Sequence, residues 1–443
     1  MRLPLLLALV PLALSACSTT SKKGVQGPET FQFKRVIQFS GGTVDRVTAS
    51  ANVAGETFYA FLTNEGSAHH LYWIMEVSPG DGTTAPQRLD TDFTIADPAT
   101  IQVQAAQAGD RSVIFTIRTE TALYAAAVKI LPSTQPQYQI SSLLPLQTLT
   151  GGATIGDVAL GALPTLDTAS VFWVSNDAPA ADLSGELHQV SIGAITSGHP
   201  AVATVYTTPS VSFTTGAGLE INGNTSWAGH IFDAFINTAN AALVVVDGRP
   251  TDLSPLNQIP HVLKLGSTGA SEVASTDFFT PARIGQQFTP PPTVEPCGNN
   301  VLSDTDQWFL TPKNGGRAVV TTHHELEYNC PTDPSQTLND STIWVVCGTN
   351  GTATLQYTQR PLVLADSFGR IFVFDPTKNL VTARNGKSLG TLGTIGFAAT
   401  APVGLILDAF TGVGTERYGS IRLVGHLDNT IYVADRSITD PQG

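Results

Sequence analysis

The stretch ETFYAFLTNEGSAHHLYWIMEVS, residues 56–78, shows the pattern that decides the fold of this chain. Two runs rich in Phe, Tyr, Leu, Ile and Trp flank the turn-forming residues NEGSA at 64–68. Short apolar and aromatic runs that end at a glycine-containing turn are typical of paired β-strands and not of helices. The stretch therefore predicts a β-hairpin.

Comparable hairpins follow along the whole chain. Each pairs two strong runs of Val, Ile, Phe and Tyr and is flanked by weaker runs, such as RVTASAN (46–52) before the first and TIQVQAAQ (100–107) before the second. Helical periodicity is nearly absent, which predicts an all-β protein. The further hairpins are 111–119 with 122–131, 169–177 with 185–193, 241–248 with 261–266, 307–328 continued by 341–348, 360–379, and 420–437.

The spacing of these units predicts a β-propeller. They recur every 50 to 70 residues or so, which leaves room for four strands per unit. Four-stranded sheets repeated around a ring protect their edges, because each sheet packs face to face on its neighbours. We expect about seven blades, within a range of six to eight, and a closing strand in FQFKRVIQF at 31–39. Tandem β-sandwich domains, which use the same strands and turns, are the alternative.

The segment LVLADSFGRIFVFDPTKN at 362–379 resembles one blade of the repeat propellers that include the pyrroloquinoline-quinone type. In those repeats an apolar strand leads to an Asp-x-x-Gly turn, here Asp366 to Gly369, and to a second strand that ends in Asp, here Asp375. The resemblance implies a propeller blade. The Gly-then-Trp element of the quinone-binding repeats is absent from this segment, and we expect no cofactor.

The first residues, MRLPLLLALVPLALSAC, resemble a bacterial lipoprotein signal peptide. One positive residue precedes an apolar run that is shorter than the ~20 residues of a membrane span. Leu14-Ser15-Ala16-Cys17 resembles the lipobox, which implies that Cys17 becomes the lipidated first residue of the mature chain. Ser18, in place of Asp, implies an outer-membrane lipoprotein. A membrane held through Cys17 is thus one expected partner.

Three segments follow from these patterns. Residues 1–16 are expected to be a signal peptide, residues 17–30 a lipidated N-terminus with a polar, flexible tether, and residues 31–443 the propeller. Two Pro-rich or turn-rich stretches, near 280–300 and at 331–340, predict loop excursions from that propeller. Loops of this kind often carry binding residues.

Composition narrows the class of partner. Of the 443 residues only 13% are charged, and the formal net charge is −13. An acidic chain with few lysines argues against binding to nucleic acid and against attraction to anionic lipid.

Cysteine usage predicts one disulfide in the body. With Cys17 assigned to the lipid, Cys297, Cys330 and Cys347 remain. The cell envelope is oxidising enough for a bridge, and an odd count leaves one thiol unpaired. We favour Cys330–Cys347, with Cys297 as the competing partner for either. The three lack the C-x-x-C spacing of a zinc site.

Motifs for catalysis are weak. Gly386-Lys387-Ser388-Leu389-Gly390 fits G-x-S-x-G, but the residues after it are too Gly-rich and β-branched for the helix of a nucleophile elbow. Adjacent histidines such as His69 and His70 would point to opposite faces of a strand and would not share one ion. The five tryptophans are expected to pack between blades, with sugar stacking as a lesser alternative.

We therefore expect a lipid-anchored propeller of the outer membrane that is a non-catalytic binding or scaffold module, with an envelope protein as a further partner and with a place in envelope assembly as one role. A propeller hydrolase or lactonase with a metal site in its central channel is the alternative. A carbohydrate-binding surface protein is the weaker alternative. No catalytic or metal-binding set is visible in the sequence.

The anchor gives the first testable prediction. A Cys17→Ser variant should lose acylation and leave the membrane fraction, because the acylated residue is gone while the apolar run before it is intact. Mass spectrometry of the N-terminal peptide and membrane fractionation measure both effects. A variant that is processed normally and stays bound to the membrane would contradict the lipoprotein assignment.

Overall fold

The computed structural model describes the chain from residue 30 to residue 437, with gaps. The described ranges are 30–77, 82–132, 137–177, 185–193, 203–213, 220–222, 225–236, 240–250, 259–267, 269–273, 282–287, 302–310, 319–327, 337–340, 343–347, 353–357, 362–365, 370–375, 379–385, 391–413 and 420–437. Helix within them is one 3-10 turn, Pro98–Thr100, and no helix of the described chain is long and apolar enough to cross a membrane.

The first four sheets are antiparallel meanders that follow one another along the chain. Sheet 1 contains β3 (Thr43–Val53), β4 (Glu56–Asn64), β5 (His69–Glu76) and β6 (Gln87–Arg88). Sheet 2 contains β7 (Gln102–Ala108), β8 (Ser112–Arg118), β9 (Ala122–Leu131), β10 (Gln137–Ile140) and β11 (Leu144–Thr148). Sheet 3 contains β12 (Thr154–Ala162), β13 (Thr168–Asn176), β14 (Gly185–Gly193) and β15 (Ala203–Phe213). Sheet 4 contains β16 (Glu220–Asn222), β17 (Thr225–Ile236), β18 (Ala242–Pro250), β19 (Ile259–Gly266) and β20 (Gly269–Glu272).

Four further sheets complete the described chain. Sheet 5 contains β21 (Ala282–Gln287), β22 (Leu302–Leu310) and β23 (Val319–Glu327), and sheet 6 contains β24 (Thr337–Asp340), β25 (Ile343–Cys347) and β26 (Ala353–Tyr357). Sheet 7 contains β27 (Leu362–Ala365), β28 (Arg370–Asp375), β29 (Leu380–Asn385) and β30 (Thr391–Phe397), with β1 (Thr30–Phe31) added in parallel to β30. Sheet 8 contains β31 (Ile406–Val413), β32 (Ser420–Leu427) and β33 (Thr430–Ser437), closed by β2 (Lys34–Gln38).

Burial explains why the middle strands are continuous apolar runs. Seven of the nine residues of β4 are buried, whereas β3 alternates over much of its length. A strand that is covered on both faces needs apolar side chains at every position, and alternation indicates one covered face. The buried side chains accordingly form layers between consecutive sheets: one between sheets 1 and 2, one between 2 and 3, one between 3 and 4, one between 7 and 8, and one between 8 and 1.

The sheets form a β-propeller. Contacts between neighbouring sheets run from β3 to β7, β12, β17, β23, β27 and β31 in turn, and β31 contacts β3 again. This circuit passes through seven sheets, as the hairpin spacing predicts, and sheet 6 lies between β23 and β27 in the chain. The N-terminal strand β2 pairs with β33, so the segment 31–39 does supply the closing strand.

Two predicted loop excursions contain strands. Within 280–300, the proline-free residues 282–287 form β21 at the edge of sheet 5, where a strand pairs on one side. Within 331–340, residues 337–340, which follow Pro334, form β24. The prolines restrict these strands to the proline-free parts, because proline cannot donate to a strand ladder. The other residues of both stretches lie outside the described chain.

Polar side chains also join neighbouring sheets near the ring axis. Arg46 donates to the carbonyls of Pro98 and Ile101, both at 2.6 Å, so it binds the segment that leads into sheet 2. The Asp157 carboxylate accepts from the Ile231 amide at 3.1 Å, which ties sheet 3 to sheet 4. The Asp157 contact saturates an amide that a β-bulge leaves outside the regular ladder, since β17 has register shifts on both sides of Ile231.

A buried arginine network closes the seam between sheets 8 and 1. Arg422 on β32 is 1% exposed, and its Nη1 donates to Thr57 (2.7 Å), Tyr59 (2.6 Å) and Glu76 (2.6 Å), all on sheet 1. Its Nη2 donates to Asp435 on β33 at 2.9 Å. Burial alone would lower the pKa of Arg422, but its hydrogen bond to Asp435 and the neighbouring acidic groups raise that pKa above its ordinary value.

Lys34 on the closing strand completes this network. Its Nζ lies 3.7 Å from Glu76 and 3.6 Å from Asp435. Two carboxylates from different sheets are thus compensated by two cations, and the first and last ends of the ring are held together by the same group of charges.

Replacing Arg422 tests this seam. Arg422→Ala leaves the buried carboxylate of Glu76 without its guanidinium and should lower the free energy of unfolding by roughly 3–5 kcal/mol. Urea unfolding followed by tryptophan fluorescence measures the change. As a control, Arg35→Ala removes an exposed arginine of β2 and should stay within about 0.5 kcal/mol of the parent. Equal effects of the two substitutions would contradict a structural role for the Arg422 network.

Candidate functional site

Histidine–carboxylate pairs gather at one end of the propeller. We call the upper end of each sheet the end at which its second and third strands are joined, where β3, β7, β12, β17, β27 and β31 count as first strands. All five imidazoles whose side chains are described lie near this end, and each is close to a carboxylate. The pairs are His69–Asp45 (2.7 Å), His70–Asp90 (2.9 Å), His188–Glu186 (3.6 Å), His261–Glu272 (2.6 Å) and His426–Asp408 (2.7 Å).

The meander explains why they share an end. His69 and His70 open β5, the third strand of sheet 1, and His188 and His261 lie near the start of the corresponding strands β14 and β19. His426 lies near the end of β32, the second strand of sheet 8. Second strands end where third strands begin, so the five imidazoles lie at the same level of the ring.

The densest polar group lies at the upper end of sheet 1. Asp90 follows β6, and its carboxylate accepts from Arg88 Nη2 (2.9 Å), from the Leu71 amide (3.1 Å) and from His70 Nδ1. Burial alone would raise the pKa of Asp90, but hydrogen bonds from Arg88, His70 and the Leu71 amide lower it below its ordinary value. The Asp90 side chain is 2% exposed and that of Arg88 is 42% exposed, so the guanidinium presents its outer donors to solvent.

Tyr72 adds a hydroxyl to this group. Its phenol donates to Glu65 at 2.9 Å, and burial together with that hydrogen bond raises the pKa of Tyr72 to about 12. The phenol therefore stays protonated at neutral pH. We call Glu65, His70, Tyr72, Arg88 and Asp90 together the sheet 1 polar cluster.

An aromatic pair lies at the same end, between sheets 1 and 2. Phe93 follows Asp90 by three residues in the connection to sheet 2, and Tyr124 lies near the start of β9, the third strand of sheet 2. Their rings stack at 5.3 Å with an interplanar angle of 13°, and both side chains are half-buried. Both rings pack against the apolar layer between sheets 1 and 2 and remain partly exposed.

Ser175, His188 and Glu186 on sheet 3 have the residue types of a catalytic triad but not its geometry. Ser175 Oγ lies 2.7 Å from His188 Nε2, and Glu186 Oε2 lies 3.6 Å from that same nitrogen. A triad needs its carboxylate on the other ring nitrogen, where it orients the base. The imidazole stacks on Trp173 at 4.9 Å, and Ser175 is 8% exposed, which fits a cross-strand contact that packs sheet 3 against sheet 2.

The His426–Asp408 pair belongs to the ring seam. Asp408 Oδ2 also accepts from the Val47 amide on sheet 1 at 3.1 Å, so the carboxylate bridges sheets 8 and 1. Burial raises the pKa of Asp408, and the hydrogen bonds from His426 and Val47 oppose that rise only in part. This pair repeats, near the upper end, the closure that Arg422 makes near the lower end.

The structure describes the side chains of some of the residues singled out in the sequence. His69 and His70 contact different carboxylates, Asp45 and Asp90. Trp73 and Trp173 are 2% and 5% exposed and pack in the apolar layers between sheets. Within the described residues no group of three or more His, Cys, Asp or Glu side chains is arranged to hold a metal ion.

The remaining sequence predictions fall outside what the structure describes. Cys17, Cys297, Cys330 and the G-x-S-x-G segment 386–390 lie outside the described residues, and Cys347 is described in its backbone, as the last residue of β25. Lipidation of Cys17 and the pairing of the other three cysteines therefore stay predictions.

Comparison with known proteins returns likenesses of fold. No family model matches the chain, and no curated protein sequence matches it. Among solved structures, it is similar to the α-L-arabinofuranosidase Arb93A of Fusarium graminearum, with a TM-score of 0.41, 8% identity, and 94% of this chain and 99% of that chain covered. It is also similar to a Penicillium chrysogenum α-L-arabinanase (TM-score 0.39, 10% identity, 93% and 98% covered) and to the endosialidase of phage phi92 (0.34, 8%, 93% and 70%).

The buried imidazole of sheet 3 makes a prediction about pH. Burial lowers the pKa of His188, so the folded protein keeps this ring neutral where the unfolded chain binds a proton. Its stabilising contribution is therefore complete above about pH 6.5 and is lost as the pH falls. A His188→Gln variant should show a weaker loss of unfolding free energy than the parent between roughly pH 7 and pH 5. Urea unfolding at a series of pH values measures the slopes, and identical slopes would contradict the prediction.

Proposed function

We propose that this protein is a lipid-anchored β-propeller of the bacterial envelope that binds carbohydrate at its upper end, around the end of sheet 1. The observation that carries the proposal is the sheet 1 polar cluster, with Arg88 exposed at its rim and the Phe93–Tyr124 pair following it in the chain. The lipobox resemblance at Cys17 supports this location, since an acylated Cys17 would hold the body at a membrane.

The chemistry of the cluster suits a hydroxyl-rich ligand. Each sugar hydroxyl donates one hydrogen bond and accepts others, so a sugar site needs donors and acceptors side by side. Arg88 and His70 supply donors and Glu65 supplies an acceptor, while the buried Asp90 orients Arg88 and His70. Arg88 and Asp90 compensate each other in charge, which favours a neutral ligand over an ion.

Aromatic rings supply the second requirement of such a site. The C–H faces of sugars are apolar and pack on aromatic rings, as other apolar groups do. The described tryptophans are buried between sheets, whereas Phe93 and Tyr124 are half-buried at the upper end. Phe93 and Tyr124 are therefore the aromatic residues that a sugar could contact at this end. Phe93 lies in the connection between sheets 1 and 2, and such connections commonly carry binding residues.

The geometry supports binding more directly than catalysis. Glycoside hydrolysis needs two carboxyl groups on either side of the scissile bond, about 5–9.5 Å apart and free to act as acid and base. Asp90 is held by three donors and Glu65 by the Tyr72 phenol. The lowered pKa of Asp90 suits a group that orients its neighbours and not a general acid.

Binding is tested with the purified mature chain on a microarray of neutral oligosaccharides and envelope polysaccharides. Calorimetry with the strongest binder then compares variants. Arg88→Ala removes the exposed donors and Phe93→Ala removes one aromatic face, and each should weaken binding by about tenfold or more, or about 1.4 kcal/mol. Both residues are at the surface or half-buried, so the fold should persist, which circular dichroism checks.

Two controls keep the test specific. Arg35→Ala removes an exposed arginine of β2, on sheet 8, and Leu392→Ala shortens an exposed apolar side chain of β30, on sheet 7. Both should bind as the parent does. Failure of every glycan to bind, or equal affinities for all four variants, would overturn the carbohydrate proposal and leave a protein partner as the occupant of this end.

A further inference from the structure

An uncharged loop projects from the upper end between sheets 7 and 8. Residues 391–407 contain no Asp, Glu, Lys or Arg, and the loop itself, AATAPVGLI at 398–406, is made of small and apolar residues apart from Thr400. Two turns order it, because the Ala401 amide donates to the Ala398 carbonyl at 3.0 Å and the Leu405 amide donates to the Pro402 carbonyl at 3.4 Å. Gly404 has a φ of 85°, which lets the second turn form without strain.

The tip of this loop presents apolar side chains to solvent. Three large apolar side chains of the described chain are exposed; of these, Val403 (96%) lies in the loop and Ile406 (50%) is the first residue of β31, directly after it. Leu405 packs against the layer between sheets 7 and 8, so the base of the loop is fixed while its tip points outward. Val403 and Ile406 are close in sequence and are held by ordered turns. Together they form an exposed apolar surface that an apolar partner could contact.

The start of the described chain runs beside the same loop. Thr30 and Phe31 pair in parallel with Gly396 and Phe397, and the Ala398 amide donates to the Phe31 carbonyl at 3.0 Å. The segment from Cys17 to residue 29 therefore joins the body next to the base of the loop. Thirteen residues reach at most about 45 Å even when fully extended. The tether is therefore long enough for an acyl group on Cys17 to reach the same surface as residues 398–406.

We infer that the loop 398–406 rests on the lipid bilayer and is the second membrane contact of the chain, beside the acylated N-terminus. This inference depends on the anchor of the proposed function. The bilayer is the occupant that the position of Thr30 favours, since the acyl chains and the loop reach the same surface. The lack of charge over 391–407 suits the interface of neutral phospholipids, into which Val403 and Ile406 insert their side chains.

The test attaches the chain to a membrane without using the native acyl group. The mature chain from Ser18, with an N-terminal hexahistidine tag, is bound to nanodiscs of phosphatidylcholine containing nickel-chelating lipid. Hydrogen exchange of amides 398–406 is compared with the free protein. Membrane contact should slow this exchange by about tenfold. Val403→Asp with Ile406→Asp should abolish the slowing, because charged side chains stay in water.

Leu392→Asp is the matched control, since Leu392 is also exposed (39%) but lies at the opposite end of β30. This variant should keep the slowing of exchange at 398–406. Equal exchange rates in free and tethered protein would overturn the loop contact, and so would slowing that appears without lipid at high protein concentration, which would indicate a second copy of the chain. Mass spectrometry of Cys17 in the native host tests the anchor separately, so failure of the loop and failure of the anchor are distinguishable.

Discussion

The closure of the ring depends on one buried guanidinium. Arg422 leaves sheet 8 and is bound by three side chains of sheet 1, while Asp435 holds it from its own sheet. Apart from β2, which runs from sheet 8 directly into β3, the seam between sheets 8 and 1 joins residues that are hundreds of positions apart. Hydrophobic packing there is non-directional, but a guanidinium with fixed donor directions accepts one alignment of the two sheets. The network therefore sets the register in which the ring closes.

The same principle recurs at smaller scale around the axis. Asp157 and Asp408 each accept an amide of the next sheet, and Arg46 and Arg118 donate to backbone carbonyls of the next sheet. Charged residues are scarce in this chain, at 13%, and several of those near the axis bind backbone groups that the bulged inner strands leave outside the ladder. These acidic and basic residues therefore join neighbouring parts of the ring.

Much of the architecture could be predicted from the sequence, because middle strands covered on both faces must be apolar throughout. The runs at 56–63 and 70–78 match β4 and β5 closely, and the closing strand was visible in 31–39. The strands β21 and β24 were not foreseen, since the proline and turn residues around them dominate their local composition.

The candidate site was less accessible to sequence reasoning. Neither Arg88 nor Phe93 belongs to a sequence motif. Strand pairing brings Arg88 beside Tyr72, and the connection to sheet 2 brings Phe93 beside Tyr124. Conversely, G-x-S-x-G and the histidine pairs stand out as letters, yet His69 and His70 turn to different carboxylates once the strand separates their side chains. The sequence shows which side chains could take part in chemistry, and the fold determines which of those side chains contact one another.

The topology places both proposed contacts at one end. In a four-stranded meander, the turn between the second and third strands and the connection to the next sheet share an end, while the other two turns share the opposite one. The sheet 1 polar cluster uses the first kind of position and the loop 398–406 uses the second, so both lie at the upper end. A bilayer that touches Val403 therefore faces the polar cluster as well. Carbohydrate bound by Arg88 and Phe93 would then be held at the membrane surface, with the Arg422 network on the side turned away.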